Sequence, residues 1–193
     1  MSNIVAIKTG GTNFASVEDC LERINCKLFY AKSIQDILNA DKILLPGVGS
    51  MISIDIEEYA SIIPQLKQPV LGICLGMQML FEKSEENPSI KTLGILNGVV
   101  KKFSSDVIYP HTGWNKLVFQ NPQSIFAEIP ANYVYFTHSY YTPTVDSTQS
   151  YCEYGDYKVS AIVQKNNFYG FQFHPERSGK YGQMLLKQFI QKA

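Results

Sequence analysis

Three side chains in this sequence have the types and neighbours of a nucleophilic relay. Cys74 lies in Gly72-Ile73-Cys74-Leu75-Gly76, with the apolar run Val70–Ile73 before it and helix formers from Leu75 onward. The run predicts a short buried parallel strand. A Gly-x-Cys-x-Gly pattern at a strand-to-helix junction is the cysteine form of a nucleophile elbow, a tight turn that lifts one side chain above a sheet. The glycines fit because a Cβ at either position would crowd the turn. A cysteine at a helix N-terminus is favoured as thiolate, the reactive form. The structural alternative is that Cys74 is a small buried hydrophobe like many free cysteines.

A thiolate nucleophile needs an imidazole as base and acid. That imidazole needs a carboxylate to fix its tautomer and orientation. The stretch Gly170-Phe171-Gln172-Phe173-His174-Pro175-Glu176-Arg177-Ser178 offers both. A strand ends near His174, and Pro175 holds the next step extended. His174 and Glu176 then leave the sheet from neighbouring positions. Other segments are candidates for a supporting role. Pro46-Gly47-Val48-Gly49-Ser50 follows a predicted strand, where ligands of open α/β sheets bind; otherwise it is an ordinary tight turn. Pro110-His111-Thr112-Gly113-Trp114-Asn115 holds the only tryptophan, which is either core or a surface anchor. Tyr135-Phe136-Thr137-His138-Ser139-Tyr140-Tyr141 reads equally as plain core.

The elements that must carry these residues alternate in the first half. Strands are predicted at 3–7, 28–31, 42–45 and 70–73. Helices are predicted at 14–24, at 34–38 behind a Ser33 cap, at 52–66 with a break at Pro64, and from Leu75 to about Phe81. Thr9-Gly10-Gly11-Thr12-Asn13 is a turn lacking both the Gly-x-Gly-x-x-Gly and P-loop patterns, so it reads as structural. Residues 82–88 are polar and close the elbow helix. From Gly94 the texture changes to short strands, at 99–103, 116–119, 133–139, 150–154, 159–164 and 168–173, separated by turn signals. An amphipathic helix over 182–192 ends the chain. The pattern predicts an α/β fold: an open, mostly parallel sheet with helices on both faces and an antiparallel extension.

The composition sets limits. The chain has 193 residues, enough for one domain of ordinary size spanning 1–193. Seventeen basic and 17 acidic residues cancel, so nothing suggests an electrostatic grip on nucleic acid or on an anionic membrane. Cys20, Cys26, Cys74 and Cys152 form no Cys-x-x-Cys pair and have no histidine at zinc-finger spacing. They read as free thiols of a reducing compartment. With no signal-peptide pattern at the start and no apolar run of membrane-spanning length, a cytoplasmic protein is expected.

Taken together, the motifs resemble the class I glutamine amidotransferases, whose sheet is flavodoxin-like. The resemblance covers essentially the whole chain. Leu45-Pro46-Gly47-Val48-Gly49, Pro110 to Asn115, Tyr135 to Tyr140 and Gly170 to Gly179 narrow it to the glutaminase subunits of imidazole glycerol phosphate synthase. Lys8 departs from the acidic residue usual there, and Thr112 from the usual Met or Ile. The resemblance implies that Cys74 attacks the amide of L-glutamine, that His174 carries the proton to ammonia, and that Glu176 orients His174. It implies an oxyanion hole from the N–H groups of Leu75 and Val48, the latter after the Gly47–Val48 peptide turns over. It also implies substrate contacts from Gln78 and from the chain at Gly47, Gly49, Ser139 and Tyr140, with no metal or cofactor. Trp114, Asn115 and Arg177 would face a (β/α)8-barrel cyclase subunit in a heterodimer. Ammonia would pass into it to make imidazole glycerol phosphate and aminoimidazole carboxamide ribotide for histidine biosynthesis. Two alternatives stay open at this point. One is the same chemistry serving another acceptor enzyme, for example in a sugar-modifying pathway. The other is a non-catalytic partner-binding subunit. A cysteine peptidase on the same elbow is disfavoured by the late His-x-Glu pair and by Gln78.

Overall fold

A computed structural model describes residues 3–7, 14–47, 49–51 and 59–193. Its main sheet has eight strands in the order β2 (Leu28–Tyr30), β1 (Ile4–Ala6), β3 (Lys42–Gly47), β4 (Val70–Cys74), β13 (Phe168–Phe171), β12 (Tyr157–Lys165), β11 (Thr148–Tyr154) and β8 (Val118–Phe119). The first five are parallel to their neighbours. From β12 outward the pairing is antiparallel. The mostly parallel sheet with an antiparallel extension is therefore as expected. Two small sheets complete the fold. One joins β5 (Phe81–Ser84), β6 (Leu96–Lys102) and β10 (Tyr140–Tyr141); the other is a ribbon of β7 (His111–Lys116) and β9 (Tyr133–His138).

The parallel strands are apolar along their whole length because both faces are covered. Alternate residues of β1 serve opposite cores. Ile4 and Ala6 join one core with residues of α1 (Phe14–Glu22) and α4 (Gly179–Lys192). Val5 joins another with Ile37 of α2 (Ile34–Leu38), Ile63 and Leu66. Ser33 caps α2 in a full capping box with Asp36, as its position predicts. The expected turn at 9–13 lies outside the described residues, as do residues 52–58 of the expected helix at 52–66, and residues 59–62 form turns instead of helix. At the end of the latter, Ile63–Gln65 forms a single 3-10 turn with Pro64 near its start.

Two expectations about elements are corrected. The elbow helix α3 spans only Leu75–Gln78, and Phe81 already begins β5. Leu75, Gly76, Met77 and Gln78 are all buried, so no polar face prolongs the helix, and Phe81 pairs with Leu96 instead. Residues 82–84 thus belong to a strand and do not close a helix. The strand expected at 116–119 is only Val118–Phe119, because Lys116 ends a separate strand, β7, that starts at His111. Strand β7 pairs residue for residue with β9, from His111↔His138 to Lys116↔Tyr133.

Candidate active site

Strand register brings the chemistry together. β4 lies between β3 and β13, with Gly47 opposite Cys74 and Phe171 opposite Ile73. Cys74 therefore ends one strand while His174 follows the end of its neighbour, at the edge where such sheets bind ligands. Cys74 has φ +52° and ψ −108°, a conformation few non-glycine residues adopt. The elbow is held by close approach on three sides. A Cβ on Gly76 would stand 1.7 Å from the Leu45 carbonyl oxygen, one on Gly72 2.5 Å from the Gly76 oxygen, and one on Gly47 2.7 Å from the Gly76 nitrogen. The single turn of α3 is too short for the helix-dipole contribution the sequence suggests, so any preparation of the sulfur must come from side chains.

His174 is one of those side chains. It is 2% exposed, and its Nδ1 lies 2.7 Å from Glu176 Oε1. Since the carboxylate only accepts, Nδ1 carries the proton and Nε2 is left for the reaction. The turn carrying the pair is pinned to β9. The His174 N–H donates to the Tyr135 carbonyl at 2.9 Å, and the Ser178 hydroxyl donates to the His174 carbonyl while accepting from the Tyr135 N–H. Burial by itself would depress the imidazole. It is outweighed by the charge and hydrogen bond of Cys74 and by the hydrogen bond and charge of Glu176, which together raise the ring to about 10. The ring is then protonated at neutral pH, ready to give a proton to a leaving amine.

Cys74 and His174 open onto a cavity of about 420 Å³, and Leu75, Gly49, Gln78, Ser139 and Tyr140 also line it. Glu176 stands behind His174, and Gly47 lies beneath the elbow. Val48, expected in the oxyanion hole, lies outside the described residues, as does Lys8. Gln78 is 3% exposed, and its Nε2 donates to the Tyr140 carbonyl at 2.9 Å and to Gln172 Oε1 at 3.1 Å. Only its Oε1 therefore remains for a ligand.

The sequence reading missed two residues here. Glu86 places a carboxylate in the cavity wall; burial pushes its carboxyl above the usual range, partly offset by the Met51 N–H that it accepts at 3.1 Å. Gln172 is fully buried, with Nε2 3.7 Å from Cys74 Sγ. The period-2 rule could have found Gln172, which lies two residues before His174 on a chain leaving a strand. Glu86 sits in a polar stretch with no local signal.

The expected partner residues lie beside the cavity. The ribbon turns His111, Val134, Phe136 and His138 inward and leaves Trp114 and Tyr133 on the outside, 55% and 53% exposed. Trp114 meets Tyr135 edge to face at 6.0 Å, and the Arg177 guanidinium lies 4.3 Å over the Tyr135 ring. Asn115 is tied inside the chain, with Nδ2 donating to the Glu153 carbonyl at 2.7 Å. Thr112 Oγ1 lies 3.3 Å from Thr137 Oγ1, across the ribbon at the cavity rim.

The family model described as glutamine amidotransferase class-I matches residues 6–193. The chain is 39% identical to imidazole glycerol phosphate synthase subunit HisH of Yersinia pseudotuberculosis, covering 98% of this chain and 99% of that protein. It is 40% identical to the protein of the same name from Pasteurella multocida, covering 99% and 98%. Among solved structures, PurLQS from Thermotoga maritima superposes with a TM-score of 0.75 at 18% identity, over 98% of each chain. A GMP synthase-like protein of Thermoplasma acidophilum superposes at 0.73 and 18%, over 98% of this chain and 93% of that one. These structural likenesses speak for the fold. On the match along almost its whole length, this chain belongs to the class I glutamine amidotransferase family.

Proposed function

We propose that this chain, as a single amidotransferase domain, is the glutaminase subunit of imidazole glycerol phosphate synthase. The observation that carries the proposal is the Cys74–His174–Glu176 constellation, opening on a cavity with room for a free amino acid. The near full-length similarity to HisH proteins supports the choice of pathway.

Cys74 Sγ attacks the carboxamide carbon of L-glutamine, forming the C–S bond as the carbonyl π electrons move to oxygen. The Leu75 N–H, with that of Val48, receives the oxyanion; one such donor is worth about 10²–10³ in rate. His174 protonates the nitrogen, the C–N bond breaks, and ammonia leaves. Water, deprotonated by the same ring, then cleaves the thioester to glutamate. Glu176 keeps the ring in one tautomer throughout. Gln78 Oε1 and the backbone at Gly49, Ser139 and Tyr140 hold the amino-acid end, Gly47 supports the elbow from below, and the Glu86 carboxylate suits the ammonium group. Ammonia passes to a (β/α)8-barrel cyclase docked on Trp114 and Arg177, where imidazole glycerol phosphate and aminoimidazole carboxamide ribotide form. This reading places the heterodimer in the cytoplasm. No helix among the described residues is long and apolar enough to cross a membrane.

Cys74→Ala tests the assignment. In the reconstituted complex it removes glutamine-dependent synthesis and leaves synthesis from added ammonium salts intact. Loss of both would make Cys74 a structural residue and overturn the reading.

A further inference from the structure

Gln172 is a polar side chain with no exposure, placed between the nucleophile and the pocket wall. Its orientation is dictated by a chain of contacts that starts from a group able only to accept. The Tyr140 carbonyl takes a hydrogen bond from Gln78 Nε2 at 2.9 Å, so Gln78 must present its NH₂ on that side. The same nitrogen donates to Gln172 Oε1 at 3.1 Å. Gln172 must therefore turn its own NH₂ the other way, and that nitrogen lies 3.7 Å from Cys74 Sγ. The Tyr140 carbonyl is itself fixed from a second side by His138 Nδ1 at 2.7 Å. The sulfur's second contact is the Thr137 carbonyl oxygen at 3.9 Å, an acceptor that a thiol can serve and that a thiolate is repelled by.

We propose that Gln172 is a further catalytic residue, a hydrogen-bond donor to the Cys74 thiolate whose amide is aimed by Gln78 and the Tyr140 carbonyl. A buried sulfur losing its proton needs donors in place of water. His174 supplies one as the imidazolium. Gln172 supplies a second that carries no charge and does not titrate, so it stays in place when His174 has given its proton to ammonia. As the thioester breaks, sulfur becomes an anion again and the same N–H receives it. The amide chain also joins the sulfur to Tyr140, on the wall that holds the amino-acid end of the substrate. This role rests on Cys74 being the nucleophile.

The test is the pH profile of Cys74 alkylation by iodoacetamide in the whole chain, read by mass spectrometry on the Cys74 peptide. Gln172→Met keeps the volume and removes the donor. Loss of a hydrogen bond to a charged group moves the midpoint up by about one pH unit. Gln172→Glu, which replaces the donor by an acceptor, moves the midpoint further in the same direction. An unchanged midpoint in a folded Gln172→Met chain overturns the proposal. Should both variants fail to fold, the unsubstituted protein still decides. The ¹⁵N resonance of the Gln172 side-chain amide must shift with the alkylation midpoint, and a resonance indifferent to it overturns the proposal. If instead Cys74 in the unsubstituted chain reacts no faster than Cys20, Cys26 and Cys152, the nucleophile assignment itself fails.

Discussion

His111 and His138 show how much single residues constrain this site without touching substrate chemistry. Tyr140's carbonyl accepts from His138 Nδ1, so His138 Nε2 must accept from His111 Nδ1, 3.0 Å away. With burial keeping both rings neutral, each is held in one tautomer. His111 is stacked between Phe136 and Tyr154, at 4.8 and 3.9 Å between ring centroids. Burial lowers His111 to about 4. Burial, aided by neighbouring His111 and His174, lowers His138 to about 3 despite its bond to Tyr140. In the unfolded chain each titrates near 6.5. Between 6.5 and the folded values the unfolded chain binds more protons, so stability falls as pH falls. For two such rings the loss between pH 6.5 and 5.5 is about 2 kcal/mol. Urea unfolding at the two pH values measures it. His111→Asn, which can still donate to His138, should remove about half of the slope; an unchanged slope would mean that other groups govern the acid limb.

At the scale of elements, the elbow works because three strands and one helical turn meet without room for a β-carbon. Gly76 is the tightest point, facing the Leu45 carbonyl of β3. That oxygen belongs to strand backbone and cannot rotate away, so Gly76→Ala must separate β3 from α3. Overpacking of this kind costs about 3 kcal/mol, seen as a lower urea midpoint, and glutaminase activity drops because Cys74 moves with the turn. A Gly76→Ala chain as stable and active as the parent would contradict the packing described. The elbow was legible in the sequence because glycine spacing and an apolar run are local signals. The length of its helix was not, since Leu75 to Phe81 is apolar but for Gln78 and carries no period that distinguishes one turn from two. The stop is imposed from a distance by Leu96, which pairs with Phe81. Strand β7 was hidden for a related reason. Its burial does alternate, but its exposed positions carry Thr112, Trp114 and Lys116, and a tryptophan on the solvent side obscures the alternation.

At the scale of the whole molecule, a net charge of zero gives no long-range electrostatic steering, and an aromatic patch beside the cavity offers apolar contact to a partner. The outer face of the β7–β9 ribbon carries Trp114, Tyr133 and Tyr135, and Ile108 and Tyr109 are exposed just before Pro110 in the cavity wall. Pro110 joins this patch directly to the active site, so a partner seated on it would lie against the mouth of the cavity. The sequence marked Trp114 and Arg177 for this surface. It could not show that Tyr135 links them, stacked under Arg177 and edge-on to Trp114, because the link depends on β7 and β9 pairing in register. A half-exposed tryptophan at the centre of such a patch is the kind of residue whose truncation costs about 2 kcal/mol of binding, or roughly thirtyfold in Kd. Trp114→Ala should weaken cyclase binding by that factor in a calorimetric titration. Its thermal midpoint should stay within a degree or two of the parent, since the ring supports little of the core. Glutamine-dependent synthesis at limiting cyclase should fall in parallel and recover when the cyclase is raised. Unchanged affinity for the cyclase would place the docking surface elsewhere on the chain.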